Sequence, residues 1–331
     1  VSRVRRACVA TVLVVVLSGC SALTPGPPGA RDGTSATSGA AATGGFGPAP
    51  GELRTARVLP GRVVATLGVV SFNAYRHLPR ARARADWQRL TARDDVDLVG
   101  WQEAKSPAFR ALAPRYRARG FETWRWPDPD GPISLAFSWR PAVLTLLDVD
   151  VEKVHRGGYP RETDDPFPAR WVVTAQFRHR GTGLAVTLLN THVNQGIETG
   201  DGFADNLNAR FARRHLARLA ALWPTAPGDV VVGTGDYNFD HVDDRDARPV
   251  GGIARRFAGR ATSSYDALGL EGLLPTRRTR WIDYVWLADR TLRRRAGGRW
   301  TGTAQFARHR VLSGYASDHR PVLARVRLYA D

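Results

Sequence analysis

Six short stretches of the sequence set an amide, an acid or a histidine against the end of an apolar run. Glu103 closes Trp101-Gln102-Glu103. A carboxylate beside a buried strand costs desolvation unless it meets a cation, so a hard metal ion is a natural partner, against the plainer reading of an exposed loop acid. Asn73 ends Ser71-Phe72-Asn73 and could lend a neutral oxygen to the same ion, or simply close a turn. His192 follows Asn190-Thr191. Val230-Val231-Val232 runs into Gly233-Thr234-Gly235-Asp236-Tyr237-Asn238, where small residues let backbone and ligand approach, and Asp236 and Asn238 can face one site from a tight turn. Asp283 sits inside the apolar run Trp281 to Trp286 and needs a partner, for which an imidazole is well suited. Ser317-Asp318-His319-Arg320-Pro321 places an acid beside a base.

Strands must carry these residues to one place. Apolar runs predict strands over residues 63–70, 96–101, 133–139, 143–151, 230–232, 282–287 and 322–329, the last with Arg325 and Arg327 outward. Residues 171–177 and 184–191 read as a hairpin around Arg180-Gly181-Thr182-Gly183. Helices are expected over 80–93, over 106–119 with Ser106 as N-cap and Pro107 first, and over 204–222 with Phe211, Leu216 and Leu219 at helical spacing. Hairpins mixed with covering helices imply an α/β (α+β) layered domain with largely antiparallel pairing.

The composition, 43% hydrophobic and 24% charged over 331 residues, excludes wholesale disorder and a multi-span membrane protein. Net charge is +17, and all basic residues except Lys105 and Lys153 are arginine. That skew fits a GC-rich genome's codon habit and equally a preference for anionic partners such as phosphodiesters or acidic lipid headgroups. There is no methionine, so Val1 is expected to stand at an alternative bacterial start codon. Arg3, Arg5 and Arg6 precede an apolar run over residues 7–17, too short to span a bilayer, and then Leu17-Ser18-Gly19-Cys20, which resembles the lipobox of bacterial lipoproteins. This implies a signal peptide over residues 1–19 and a lipidated Cys20. Cys8 leaves with the leader, so no disulfide is expected. Residues 20–52 read as the lipidated cysteine and a Gly/Pro/Ser/Ala-rich tether, and residues 53–331 as one catalytic domain. The expected location is the bacterial cell envelope, outside the cytoplasm and anchored by lipid.

In this order the six stretches resemble the endonuclease/exonuclease/phosphatase superfamily, which includes pancreatic-type deoxyribonuclease, abasic-site endonucleases, sphingomyelinases and inositol-polyphosphate phosphatases. The resemblance covers nearly all of residues 63–331 and implies a four-layered α/β/β/α sandwich, two β-sheets between outer helices with the site at one end. It implies Glu103 as the principal Mg²⁺ ligand (Mn²⁺ or Ca²⁺ as alternatives), with Asn73 and Asp318 beside it in the metal shell. Asp236 and Asn238 would orient the scissile phosphate or a second metal's water. His192 would bind a phosphoryl oxygen or protonate the leaving group, and Asp283 and His319 would form an acid–histidine dyad. Whether His319 or Asp236 activates the water is left open.

A metal-dependent phosphoesterase is therefore expected, with nucleic acid favoured as substrate. A lipid-headgroup phosphodiesterase or phosphatase is the alternative, and a binding module that has lost catalysis a further one. Arg140, Arg170 and Arg320 lie near strand ends where a phosphate could be gripped, and Trp124 and Trp126 could form a membrane-dipping pair. His155, His179, His215 and His309 are expected to be solvated or structural, with His77 and His241 nearer the site. Loops over residues 155–169 and 194–203 would set specificity. No protein partner is inferred and a monomer is expected.

Overall fold

A computed structural model describes residues 56–112, 119–127, 130–158, 168–195, 207–243 and 253–330. The expected leader, Cys20 and the tether lie outside these residues, as do most of the two specificity loops. The first sheet contains β1 (Arg62–Asn73), β2 (Leu98–Gln102), β3 (Glu122–Arg125), β4 (Ala136–Trp139), β13 (Ala304–Val311) and β14 (Val322–Ala330), ordered β13-β14-β1-β2-β4-β3. The second contains β5 (Leu144–His155), β6 (Arg170–His179), β7 (Ala185–His192), β8 (Val230–Asp236), β9 (Ala261–Ser263) and β10 (Asp283–Ala288), ordered β5-β6-β7-β8-β10-β9. Pairing is antiparallel except for β1 with β2 and β7 with β8. β11 (Arg294–Ala296) and β12 (Arg299–Thr301) form a separate antiparallel hairpin.

Alternation along the strands assigns side chains to layers. On β1, Leu67 and Val69 join the core between the sheets, whereas Val70 and Phe72 pack outward with Trp87 and Leu90 of α1 (Arg80–Thr91). Trp87 stacks on Trp101 of β2 with ring centres 5.4 Å apart. On the second sheet, Trp223 of α3 (Leu207–Thr225) lies so close to Gly233 that a Cβ there would sit 2.2 Å from the indole. Phe211, Leu216 and Leu219 are buried, as the helical spacing predicts, and Trp223 is buried with them. The layers are thus helix, sheet, sheet, helix. Ser106 caps α2 (Pro107–Leu112) by accepting the Phe109 N–H at 3.0 Å.

Some expectations needed correction. The strand expected from residue 133 begins at Ala136. β3 is short and its ends are charged, so it carries no apolar signal; β13 hides its alternation behind a bulge between Phe306 and Arg308. Arg325 and Arg327 do not face solvent freely, since their guanidinium groups donate to the carbonyls of Asp95 and Ala56 at 2.8 Å each. Of the two readings for His155, His179, His215 and His309, burial favours the structural one. Trp124 stacks on Phe137 at 5.2 Å with Trp126 edge-on at 6.2 Å, so this pair is half-buried against the sheet and not a free exposed loop.

Polar side chains join the sheets beneath one end of the sandwich. Asn190 Oδ1 accepts from Gln102 Nε2 at 2.9 Å and from the Thr234 hydroxyl at 3.0 Å. Its amide donates to the carbonyls of Trp101 and Ala136. Ser71 Oγ accepts the Gly235 N–H at 2.9 Å. A Cβ at Gly100 would lie 1.9 Å from Thr234 Oγ1, so glycine is what allows β2 and β8 to approach here. Each leftover buried donor or acceptor would cost about 1–3 kcal/mol, so this network fixes the register of the sheets above which the site is built.

Candidate active site

The inward-facing positions at this end are Asn73, His192, Asp236 and Asp283, which register places side by side: His192 and Asp283 both pair with Asp236. The turn before β14 adds Asp318 and His319, because Val322 pairs with Ser71 on β1. Of these, His192, Asp236, Asp318 and His319 join Glu103 and Asn238 around a pocket of about 430 Å³ counted out to its open mouth, whose rim includes Tyr75, Arg76, His77, Gln195 and Arg277, while Asn73 and Asp283 are buried outside its lining.

His319 Nδ1 and Asp283 Oδ2 are 2.8 Å apart, both residues being buried. Nε2 of the same ring lies 3.8 Å from Asp236 Oδ2 and 4.0 Å from Asp318 Oδ1. Burial opposes a charged imidazole, but the carboxylates of Asp283 and Asp236 outweigh it and raise the His319 pKa to about 9. Asp236 accepts from Asn73 Nδ2 at 2.9 Å and from the Asn238 N–H at 3.0 Å. Burial, reinforced by the Asp283 charge, pushes its pKa up to about 7. His192 Nε2 sits 3.4 Å from Asp236 Oδ2 and 3.3 Å from Asn238 Nδ2. Burial first, and the Arg170 charge next, lower the His192 pKa well below its ordinary value, so its imidazole is neutral.

Glu103 adopts φ +54° and accepts the Arg76 N–H through Oε2 at 2.9 Å. Tyr75 at +48° and Asn238 at +55° share that left-handed conformation. Non-glycine residues hold it at a cost of about 1–3 kcal/mol each, so the surrounding hydrogen bonds must over-determine these turns. Asn73 supplies one of them, its Oδ1 accepting the Tyr75 N–H at 3.0 Å.

The three arginines separate. Arg170 is half-buried and outside the pocket lining, its Nε without a partner, and burial of its guanidinium lowers its pKa to about 10 against the favourable charges of Asp236 and Glu103. Arg320 donates to the Pro275 carbonyl at 2.7 Å, away from the pocket. Arg140 is at the far end of its sheet, bonded to the carbonyls of Val96 and Arg93 and stacked over Phe121, which makes it a structural residue.

No protein-family model matches the sequence, and no curated protein is similar to it. Solved structures are. The human Nocturnin catalytic domain with bound sulfate is 15% identical, covering 80% of this chain and 94% of its own, with a TM-score of 0.56. TDP2 of D. rerio in complex with a single-strand DNA product is 17% identical, covering 80% and 99%, also at 0.56. An endonuclease/exonuclease/phosphatase family protein of Bacteroides thetaiotaomicron is 15% identical, covering 79% and 95%, at 0.54. The chain has the endonuclease/exonuclease/phosphatase fold.

Within this fold, the donor set suits a hard cation. Glu103 and Asp318 turn carboxylates into the pocket, and one oxygen of Glu103 is left over after its bond to Arg76. Asp236, Asp283 and His319 also offer ligand atoms within 4.8 Å of one another, a buried group able to hold a metal ion. Asn73 is first of all a partner of Asp236, with its oxygen already accepting from Tyr75.

Sequence reasoning missed Asp86. This buried acid of α1 accepts the N–H groups of Ala316 at 2.7 Å and Ser317 at 2.9 Å, directly before Asp318 and His319. Ser317 Oγ then donates to the Asn73 carbonyl and accepts the His319 N–H. The only signal was that Asp86 is the sole acid in an otherwise arginine-rich helix. Asp86→Ala is expected to lower kcat by about tenfold or more with little change in KM, and to lower stability by roughly 1–3 kcal/mol for each N–H left buried. A fall in Tm with kcat unchanged would reduce Asp86 to a purely structural residue.

Proposed function

We propose that this protein is a metal-dependent phosphodiesterase of the bacterial cell envelope, anchored through Cys20, and that nucleic acid is its substrate. The observation that carries the reading is the buried Asp283–His319–Asp236 arrangement facing the Glu103 and Asp318 carboxylates across one pocket. Asp283 holds His319 Nδ1, which fixes the ring so that Nε2 points at Asp236. With His319 protonated, Asp236 takes the proton of the attacking water and His319 supplies one to the ester oxygen as the phosphorus–oxygen bond breaks. Neutral His192 suits hydrogen bonding to a phosphoryl oxygen better than supplying a proton, and Asn238 adds a second donor. A divalent cation bound by Glu103 and Asp318, with Asn73 adjacent, would neutralise charge developing on the phosphoryl oxygens.

Arg76 and Arg277 on the rim, with Arg170 behind, favour an anionic chain over an isolated headgroup. Among the structural neighbours, TDP2 is seen with a single-strand DNA product and ANGEL2, a 2′,3′-cyclic phosphatase, with adenosine-2′,3′-vanadate. Plasmid nicking is expected to require Mg²⁺ or Mn²⁺ and to fall steeply between about 50 and 200 mM salt. Turnover of sphingomyelin or a phosphoinositide beside intact plasmid would transfer the assignment to lipid headgroups. Inertness toward all of them with bound metal would indicate a binding module.

A further inference from the structure

A charged surface occupies the end of the sandwich opposite the pocket. β1 begins there at Arg62 and ends in the site at Asn73. The β11–β12 hairpin stands at this far end, turned through Gly297 at φ +55° and Gly298 at φ +79°, and attached through Arg293, which donates to the Pro60 and Gly302 carbonyls. Arg294, Arg295 and Arg299 are exposed on it, and among the described residues no carboxylate pairs with them. Register sets Trp300, half-buried, directly across from Arg295, so indole and guanidinium share one face. Arg62 and the valines at 58 and 63, 52% and 38% exposed, flank Pro60, whose carbonyl accepts from Arg293. Of the acids at the neighbouring strand ends, Asp289 is half-buried and accepts the Thr262 hydroxyl, whereas Asp229 is exposed with one oxygen on the Ala185 N–H.

We infer that this end is a docking surface for an anionic lipid bilayer. Arginines on both faces of one exposed hairpin, with an indole beside Arg295, are a composition that settles at the headgroup boundary. Nucleic acid would match the charge, but the twelve residues of β1 separate the hairpin from the pocket by roughly 36 Å, so a strand gripped here is not presented for hydrolysis. A bilayer gains from contact at this end without entering the site. Docked so, the protein points its pocket away from the membrane and toward solutes. The inference goes beyond the proposed activity and does not depend on it.

The test uses the full chain carrying Cys20→Ser, which removes the expected lipid, in co-sedimentation with phosphatidylcholine vesicles containing or lacking phosphatidylglycerol. Binding should require phosphatidylglycerol and weaken with salt. Arg294→Gln, Arg295→Gln and Arg299→Gln together should lower partitioning on the order of 100-fold, whereas the three Lys replacements should retain most of it. Thermal unfolding and hydrolysis of bis(p-nitrophenyl) phosphate should match the parent, because none of the three residues touches the pocket. Equal binding of the Gln variant and its parent to anionic vesicles would overturn the inference. So would a variant that loses affinity for duplex DNA while its vesicle binding stays intact.

Discussion

Asp283→Asn and His319→Ala should each lower kcat for phosphodiester hydrolysis by about 10²–10⁴, the range for a positioned proton-transfer group. Their 2.8 Å contact is buried, and Asp283 reaches the pocket only through His319, whose ring lines it. Asparagine keeps the shape of Asp283 but removes the charge that supports a protonated ring. The double variant should therefore lose little beyond the worse single one, as expected for residues that work as a unit. Asp283→Asn is the cleaner comparison for folding. His319→Ala strands a buried carboxylate, and breaking such a pair costs about 3–5 kcal/mol, so its kcat must be read well below its Tm. Losses that multiply in the double variant would show the two residues acting separately.

The sequence exposes this dyad because each member contradicts its surroundings. An acid inside Trp281 to Trp286 has no structural excuse, and its need for a cationic or imidazole partner is local chemistry. The strand-end residues are legible for the same reason: alternation sends Asn73, His192, Asp236 and Asp283 to the inner faces, and the apolar runs mark where those faces end. Other motif residues turned out to do a different job. Ser71, Gln102 and Asn190 bolt the sheets together beneath the site, a role that only cross-sheet geometry reveals. Asp86 was invisible because its partners are backbone N–H groups some 230 positions away. Arg140 misled because proximity to a strand end does not say which end of the sheet that is. β13 escaped because one bulge reverses its alternation midway.

Metal removal should have the largest effect of all. Glu103, Asp236 and Asp318 line one pocket with Asp283 buried outside its lining, and burial together with the Asp283 charge raises Asp236 to about 7, so a further negative charge is poorly tolerated there. Arg277 offsets Asp318 and His319 offsets Asp283, but Glu103 and Asp236 still face an approaching phosphodiester, so exhaustive EDTA dialysis should abolish turnover and Mg²⁺ or Mn²⁺ should restore it. The oxygen-only contribution of Glu103 and Asp318 argues against zinc. Cation binding should also stabilise the fold by about 2.7 kcal/mol at a hundred times its Kd, which for a domain of this size raises Tm by roughly 5 °C or more. Glu103→Ala should remove most of that thermal gain and raise the Mg²⁺ concentration for half-maximal rate by at least about tenfold. The thermal measurement separates metal binding from catalysis: a variant that keeps the Mg²⁺-dependent rise in Tm but loses turnover would make Glu103 a substrate residue instead of a ligand. Full activity after EDTA treatment would remove the cation from the mechanism, leaving His319 and Asp236 to act without it.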